Sequence, residues 1–330
     1  MFCFDRRWHV RTVATVLWEW PSLQWVLTLI PVLNYPRQKL VVFSPLGPAR
    51  ALNFPMQTVS TIPTGFWQKP CREVQYSLTP GEVHVWLASL KMPAAQVAIL
   101  RACLSFEEVA KASRFRSRAD QTSAMVSRGI LRHLLGNYLR MAPEDIPFAC
   151  NAYGKPGLAS PTGAGLNFNL SHSHHWVVVG FAWGRRIGVD VERIRPESAN
   201  DELVGHYLAP AEACHLRSLP LADRINAFFQ CWTRKEAFLK ARGDGLMGRL
   251  DSFEVAFGRD SLPAILRVAE NETPAEDWSV VNLPLGDSYA GAVVVDGPCH
   301  RLKCFQWSLP ASSEVLEALP AQMPNPSLAC

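Results

Sequence analysis

The chain has 330 residues, 48% of them hydrophobic, and a formal net charge of +4; this is enough to bury a sizeable core in one large or two modest domains and places the chain in the soluble globular class. So mild a charge gives no ground for a nucleic-acid partner, although it suits a basic pocket for a polyanionic small molecule. Nine cysteines, odd in number and without a C-x-x-C pair, argue against a disulfide framework or a zinc ribbon and fit a reducing cytoplasm.

The first apolar stretch, Thr12 to Leu33, is rich in Val, Leu and Trp but is interrupted by Glu19, Pro21 and Pro31, so it offers no membrane span. Arg6, Arg7 and Arg11 resemble the basic start of a signal peptide, yet Trp18 to Pro21 breaks the apolar run that must follow. From Pro36 to Pro80 prolines and turn residues dominate without helical or strand periodicity. Residues 1–76 are therefore expected to form a weakly ordered extension.

The folded body starts near Gly81, where Val83, Val85 and Leu87 alternate with Glu82, His84 and Trp86 as in a strand. Helices are expected over 93–104, over 105–115, where Ser105 and Glu108 form a capping-box signature, and over 119–140 with Ile130, Leu131, Leu134, Leu135, Tyr138 and Leu139 as its apolar stripe. A loop follows, and in it Gly154, Pro156 and Gly157 surround Lys155 in a turn that presents the ammonium. Strands are expected over 166–170 and 176–182. Between them lie Ser171, His172, Ser173, His174 and His175, hydroxyl and imidazole groups able to donate hydrogen bonds to a phosphate. The same histidines raise a zinc hydrolase as an alternative. Such a site commonly places an acid just beyond a His-x-His pair, and Trp176 stands in that place.

Next comes Gly188-Val189-Asp190-Val191-Glu192. In an extended strand Asp190 and Glu192 point to one side while Val189 and Val191 point into a core. Two carboxylates sharing a small volume repel one another unless a cation sits between them, and oxygen ligands suit a hard ion such as magnesium. Helices are expected over 201–219 and 221–242, the second closed by Gly243. On the second helix Trp232, Glu236 and Lys240 recur every four residues and share a face, so Glu236 can supply a third oxygen. Taken separately, each motif has a plainer reading: a polar edge strand, and an exposed helix with an i,i+4 ion pair. Further strands are expected over 253–257, 264–268, 278–283 and 289–295, with a loose tail after Pro310.

Taken together and in this order, Gly154 to Pro156 leading to Phe168 to Ser173, then Gly188 to Glu192, then Trp232 to Lys240, the motifs resemble the Sfp-type 4′-phosphopantetheinyl transferases. The resemblance covers about residues 105–257. It implies a fold of two similar α+β halves, here 77–188 and 189–310, with the active site in the cleft between them and a tail at 311–330. It implies transfer of the phosphopantetheine arm of coenzyme A to a serine of an apo acyl or peptidyl carrier protein, with release of adenosine 3′,5′-bisphosphate. Magnesium would be held by Asp190, Glu192 and Glu236; Glu236 would also take the serine proton, and Lys240 would steady the pyrophosphate. Lys155, Ser171 and His172, with Lys111 more loosely, would surround the 3′-phosphate. Glu108 departs from the family, which often has a basic residue there. A relative that binds coenzyme A or carrier domains without catalysis is the other alternative; it would lack a carboxylate or Lys240, and all are present. Two halves in one chain favour a monomer, and neither nucleic acid nor membrane is expected as a partner.

Overall fold

The computed structural model describes residues 15–18, 25–28, 42–43, 67–68, 77–159, 161–195, 201–243, 249–258, 261–268 and 274–309. The chain divides into two compact units, Met1–Ser60 and Thr61–Cys330. In the first, β1 (Thr15–Trp18), β2 (Trp25–Thr28) and β3 (Val42–Phe43) pair antiparallel in that order. The remainder of the expected extension up to residue 76, apart from Trp67 and Gln68, lies outside the described residues, as does the expected tail.

The second unit mixes helix and sheet. Its elements are β4 (Glu82–Ser89), α1 (Ala94–Ala102), α2 (Phe106–Ala112), α3 (Arg118–Leu139), β5 (Phe148–Cys150), β6 (Pro156–Leu158), β7 (Leu166–Ser173), β8 (Trp176–Trp183) and β9 (Ile187–Arg193). They continue with α4 (Asp201–Tyr207), α5 (Pro210–Ser218), α6 (Leu221–Arg242), β10 (Glu254–Val255), β11 (Ile265–Arg267), β12 (Trp278–Asn282), β13 (Tyr289–Asp296) and β14 (Arg301–Trp307). One sheet runs β14-β4-β8-β7, antiparallel except for the parallel pair β14–β4; a second runs β12-β13-β9, antiparallel throughout. Gln68 bridges to Phe305 on the outer side of β14, and the Trp67 indole donates to the Pro284 carbonyl at 2.7 Å, so these two residues of the expected extension are tied to the body.

Apolar side chains gather in three clusters. Trp86, Ile130, Leu134, Phe168 and Phe181 join α3 to the four-stranded sheet. Leu216, Phe229, Phe238, Trp278 and Val294 join α5 and α6 to the three-stranded sheet. Val85, Val178, Val189, Val281 and Val293 fill the space shared by both sheets. Each such side chain contributes roughly 1.5–3 kcal/mol on burial. The expected strand β4 lies within this arrangement, and all seven residues from Glu82 to Ala88 are buried. Its polar side chains are accommodated rather than solvated. His84 Nδ1 lies 2.7 Å from the Tyr138 hydroxyl, which also accepts from the Trp86 indole at 2.9 Å, and Lys303 lies 2.7 Å from Glu82. Burial, helped by Lys303, pushes the His84 pKa down to about 4.

Ser105 and Glu108 form the expected reciprocal cap of α2, and Ser117 accepts from the Asp120 N–H at the start of α3. Glu108 also accepts from the guanidinium groups of Arg128 and Arg132. This carboxylate thus ties α2 to α3. The single helix expected over 201–219 is instead two, because Pro210 removes an N–H and restricts Ala209 to extended backbone.

Helix α6 has the expected bounds and ends at Gly243, whose φ of 84° closes the helix in the left-handed region. Its rotation is fixed from behind. Lys235 donates to Glu212 and to the Phe253 carbonyl, each at 2.6 Å, while Arg234 donates to Asn282 at 3.0 Å and to the Ala256 carbonyl. Glu212 and Lys235 are both buried, so removing either partner strands a charge, at about 3–5 kcal/mol. With Arg234 and Lys235 held on one side, the face of Trp232, Glu236 and Lys240 is turned the other way.

Candidate active site

Strand β9 carries its apolar residues inward, Val189 and Val191 being fully buried, so Asp190 and Glu192 emerge on the opposite side as the alternation requires. Alongside, β7 presents Asn169, Ser171 and Ser173 at the same period of two. The Ser171 hydroxyl donates to Asp190 Oδ1 and the Ser173 hydroxyl to Glu192 Oε2, each at 2.8 Å across a separation of 19 residues, and Asn169 accepts from the Val189 N–H at 2.8 Å. A side-chain ladder therefore aligns the two strands and sets the angle of both carboxylates.

Helix α6 reaches this ladder by crossing β9 at Gly188. A Cβ there would stand 2.0 Å from the Ala237 carbonyl oxygen and 2.4 Å from the Ala241 nitrogen. Only glycine lets the helix backbone approach so closely, and the approach carries Glu236 and Lys240 to the acids of β9. Lys240 Nζ lies 2.5 Å from Asp190 Oδ1 and 3.0 Å from the Ser171 hydroxyl. The plain i,i+4 pair between Glu236 and Lys240 is replaced by a link between helix and strand.

Asp190 is 2% exposed, and its second oxygen, Oδ2, is buried without a hydrogen-bond partner. The neighbouring acids respond to this setting. Burial, then the charge of Asp190, holds the carboxyl of Glu236 above the ordinary carboxylate range despite Lys240. The same two causes raise Glu192, against the hydrogen bond from Ser173. Three acids thus influence one another, although among the described residues no group of three or more His, Cys, Asp or Glu side chains stands in a metal-holding arrangement.

Glu236 and Lys240 line a cleft of about 890 Å³, together with Tyr207, Trp232, Tyr153 and Arg249. Lys155 lines it too, but its ammonium is engaged rather than presented: it donates to the Ile187, Lys240 and Ala241 carbonyls. Asn151 builds the turn that delivers it, accepting from the N–H groups of Tyr153 and Lys155, each at 2.9 Å, and donating to the Gly243 carbonyl at 3.0 Å. His172 stands exposed on β7. Desolvation, and then the Lys240 ammonium, lower its pKa. Lys111 is exposed in the last turn of α2, where a cation complements the helix dipole. His174 and His175 stack at 3.5 Å between ring centres on the exposed β7–β8 turn.

The sequence alone assigns no role to Asn169 or Gly188, and it offers Ser173 as a donor to phosphate rather than as a partner of Glu192. Asn169 and Ser173 share the period-two face of Ser171, a signal present in the chain. Gly188 carries no such signal, since only the helix crossing reveals what a side chain would strike.

Comparison with known proteins places these residues in context. Residues 186–294 match the family model described as the 4′-phosphopantetheinyl transferase superfamily, and residues 91–182 match that of the 4′-phosphopantetheinyl transferase N-terminal region. The chain is similar to 4′-phosphopantetheinyl transferase HetI of Nostoc sp., with 39% identity over 222 residues that cover 67% of this chain and 90% of the relative. It is similar also to 4′-phosphopantetheinyl transferase Sfp of Bacillus subtilis, with 30% identity over 162 residues, 49% of this chain and 70% of the relative.

Proposed function

Because this chain belongs to the 4′-phosphopantetheinyl transferase family, we propose that its cleft binds coenzyme A beside Asp190, Glu192 and Glu236 and passes the phosphopantetheine arm to a carrier-protein serine. The observation that carries this reading is the meeting of Asp190, Glu192 and Glu236 with Lys240, of which Glu236 and Lys240 line a cleft of about 890 Å³. The histidine pair His174 and His175 is exposed on the β7–β8 turn and is not among the residues lining this cleft.

The donor set fits magnesium. A buried carboxylate oxygen without a partner, and two further carboxyls whose ionisation is resisted by burial and by that neighbour, are the chemistry a hard cation relieves. Asp190, Glu192 and Glu236 would hold it, and when bound it neutralises charge on the pyrophosphate of the donor. The remaining steps belong to the chain. Glu236, its basicity raised by burial, accepts the proton of the carrier serine as the hydroxyl attacks phosphorus, and Lys240 balances charge developing on the departing bisphosphate. The aromatic surface of Tyr207 and Trp232, whose rings meet edge to face with centres 5.0 Å apart, restricts water at the cleft wall.

We assign the 3′-phosphate end of coenzyme A to the neighbourhood of Lys155, Ser171 and His172, with Lys111 farther out. The presence of Lys155 in the cleft lining supports this placement. His172 acts there as a hydrogen-bond donor. Separate apolar clusters about α3 and about α6 support a division into two halves. The six described cysteines are unpaired thiols, which supports a cytoplasmic setting, and among the described residues no helix is long and apolar enough to cross a membrane. The enzyme is read as a monomer acting on acyl or peptidyl carriers. Incubation with coenzyme A, magnesium and a panel of apo carriers tests the function: a carrier should gain the mass of one phosphopantetheinyl group, only with metal present. No mass gain on any carrier would overturn it.

A further inference from the structure

The ammonium of Lys240 has two partners, and both belong to the carboxylate wall rather than to the open cleft. It lies 2.5 Å from Asp190 Oδ1 and 3.0 Å from Ser171, whose hydroxyl donates to the same oxygen at 2.8 Å. A carboxylate oxygen has two lone pairs, so Oδ1 is saturated, while Oδ2 is buried and has no partner. Glu192 is drawn aside by Ser173 at 2.8 Å. Among the described residues no three acids stand as ligands around one point. A positive charge already sits on the central acid, and the side chain that carries it is 30% exposed at the cleft wall.

We propose that Lys240 is a resident counter-cation: it occupies Asp190 in the metal-free enzyme and is drawn away by the pyrophosphate of the donor, so that divalent metal and donor bind as a coupled pair. This rests on the metal reading of the three acids. Metal alone must enter beside an ammonium only ångströms away, and the repulsion keeps its affinity low. The pyrophosphate offers the ammonium a partner of higher charge, which frees Asp190 Oδ1 and removes the repulsion together. Ser171 is the hinge of the exchange, since its hydroxyl remains hydrogen-bonded to Asp190 after the ammonium has left. The linkage is reciprocal, so metal tightens donor binding by the same factor.

The test is Mn²⁺ binding by equilibrium dialysis to the full-length enzyme and to Lys240→Gln, each with and without coenzyme A, with protein-free samples correcting for ion held by coenzyme A itself. Wild type should bind Mn²⁺ at least about tenfold more tightly when coenzyme A is present. Lys240→Gln should bind Mn²⁺ alone at least about tenfold more tightly than wild type, and its gain on adding coenzyme A should shrink. Removal of a nearby charge that never moves would tighten metal binding but leave that gain at its wild-type size; this result overturns the exchange. Equal affinities of the two proteins for Mn²⁺ alone, or no gain in wild type, also overturn it. Absence of Mn²⁺ binding to either protein under every condition overturns the metal reading and the exchange together. Thermal melts of Lys240→Gln without metal confirm that the variant is folded.

Discussion

Gly188→Ala is the smallest change that should separate the helix from the acids. The added methyl would stand 2.0 Å from the Ala237 carbonyl oxygen and 2.4 Å from the Ala241 nitrogen. Ordinary contact needs about 3.5 Å, so one element must retreat by more than ~1 Å. Both obstructing atoms are backbone, and no rotamer can move them. Strand β9 is fixed through its ladder to β13, where Gly188 faces Val294, so α6 yields. Overpacking of this kind costs about 1–3 kcal/mol, partly offset by the ~0.5–1 kcal/mol that alanine recovers over glycine inside a regular element. The catalytic consequence is larger: Glu236 and Lys240 ride on the displaced turn, and a ~1 Å misplacement costs about a hundredfold in rate, or roughly 2.7 kcal/mol. Urea unfolding and the carrier mass assay measure the two effects separately. The variant should stay folded, with kcat depressed by about a hundredfold. Transfer at the wild-type rate with an unchanged midpoint would refute the close-approach argument.

Asp190→Asn keeps the shape and removes the charge, so transfer should fall by at least ~100-fold in the mass assay, while Tm moves by no more than a few degrees because the repulsion felt by Glu192 and Glu236 is relieved as the Lys240 pair is lost. Retained transfer at limiting magnesium would overturn the metal assignment. Lys155→Ala should raise KM for coenzyme A and change kcat little, since the 3′-phosphate keeps its charge throughout, and should do little to dephospho-coenzyme A; loss of its carbonyl bonds should also cost about 1–2 kcal/mol of stability. Equal kinetic losses on both donors would remove Lys155 from the phosphate. Lowering the pH tests the buried strand β4. An unfolded histidine takes its proton near pH 6.5 and His84 only near 4, so the unfolded state binds more protons in that window and stability falls with pH, by about 3 kcal/mol across it and about 2 kcal/mol by pH 5. His84→Gln should flatten the fall seen in urea midpoints; an equally steep fall in the variant would place its origin elsewhere.

Local rules carried the sequence reading a long way where the cause of structure is local. The Ser105 and Glu108 cap, the bounds of α6 with Gly243 beyond it, and the opposite facing of Val189 and Asp190 all follow from residues a few positions apart. Reading failed where the cause lies far along the chain. Strand β14 mixes Arg301 and Lys303 with Phe305 and Trp307 and gives no clean alternation, because it is paired on one side by β4 and, among the described residues, is bridged on the other at Gln68. The burial of Glu82 and His84 depends on Lys303 and Tyr138, and neither is visible from β4 itself. At the site, the acids and Lys240 were legible as motifs. Their relation was not: the helix spacing suggested Glu236 as the partner of Lys240, whereas the crossing at Gly188 delivers the ammonium to Asp190. The break at Pro210 had a plain signal that the apolar pattern on either side concealed.

The parallel pairing of β4 with β14 places Glu82 beside Arg301, separated in sequence by 219 residues. At a synthesis rate of ~5–20 residues per second, the ribosome delivers the partner strand roughly 10–45 s after β4 has emerged. Throughout that interval β4 exposes one row of unpaired backbone groups and a run of Val, Trp and Leu, a template open to any other extended chain. The sheet that supports Ser171 and Ser173 therefore closes only after translation has passed Trp307, and nascent fragments stopped before Arg301 should accumulate as aggregates rather than as weakly active enzyme.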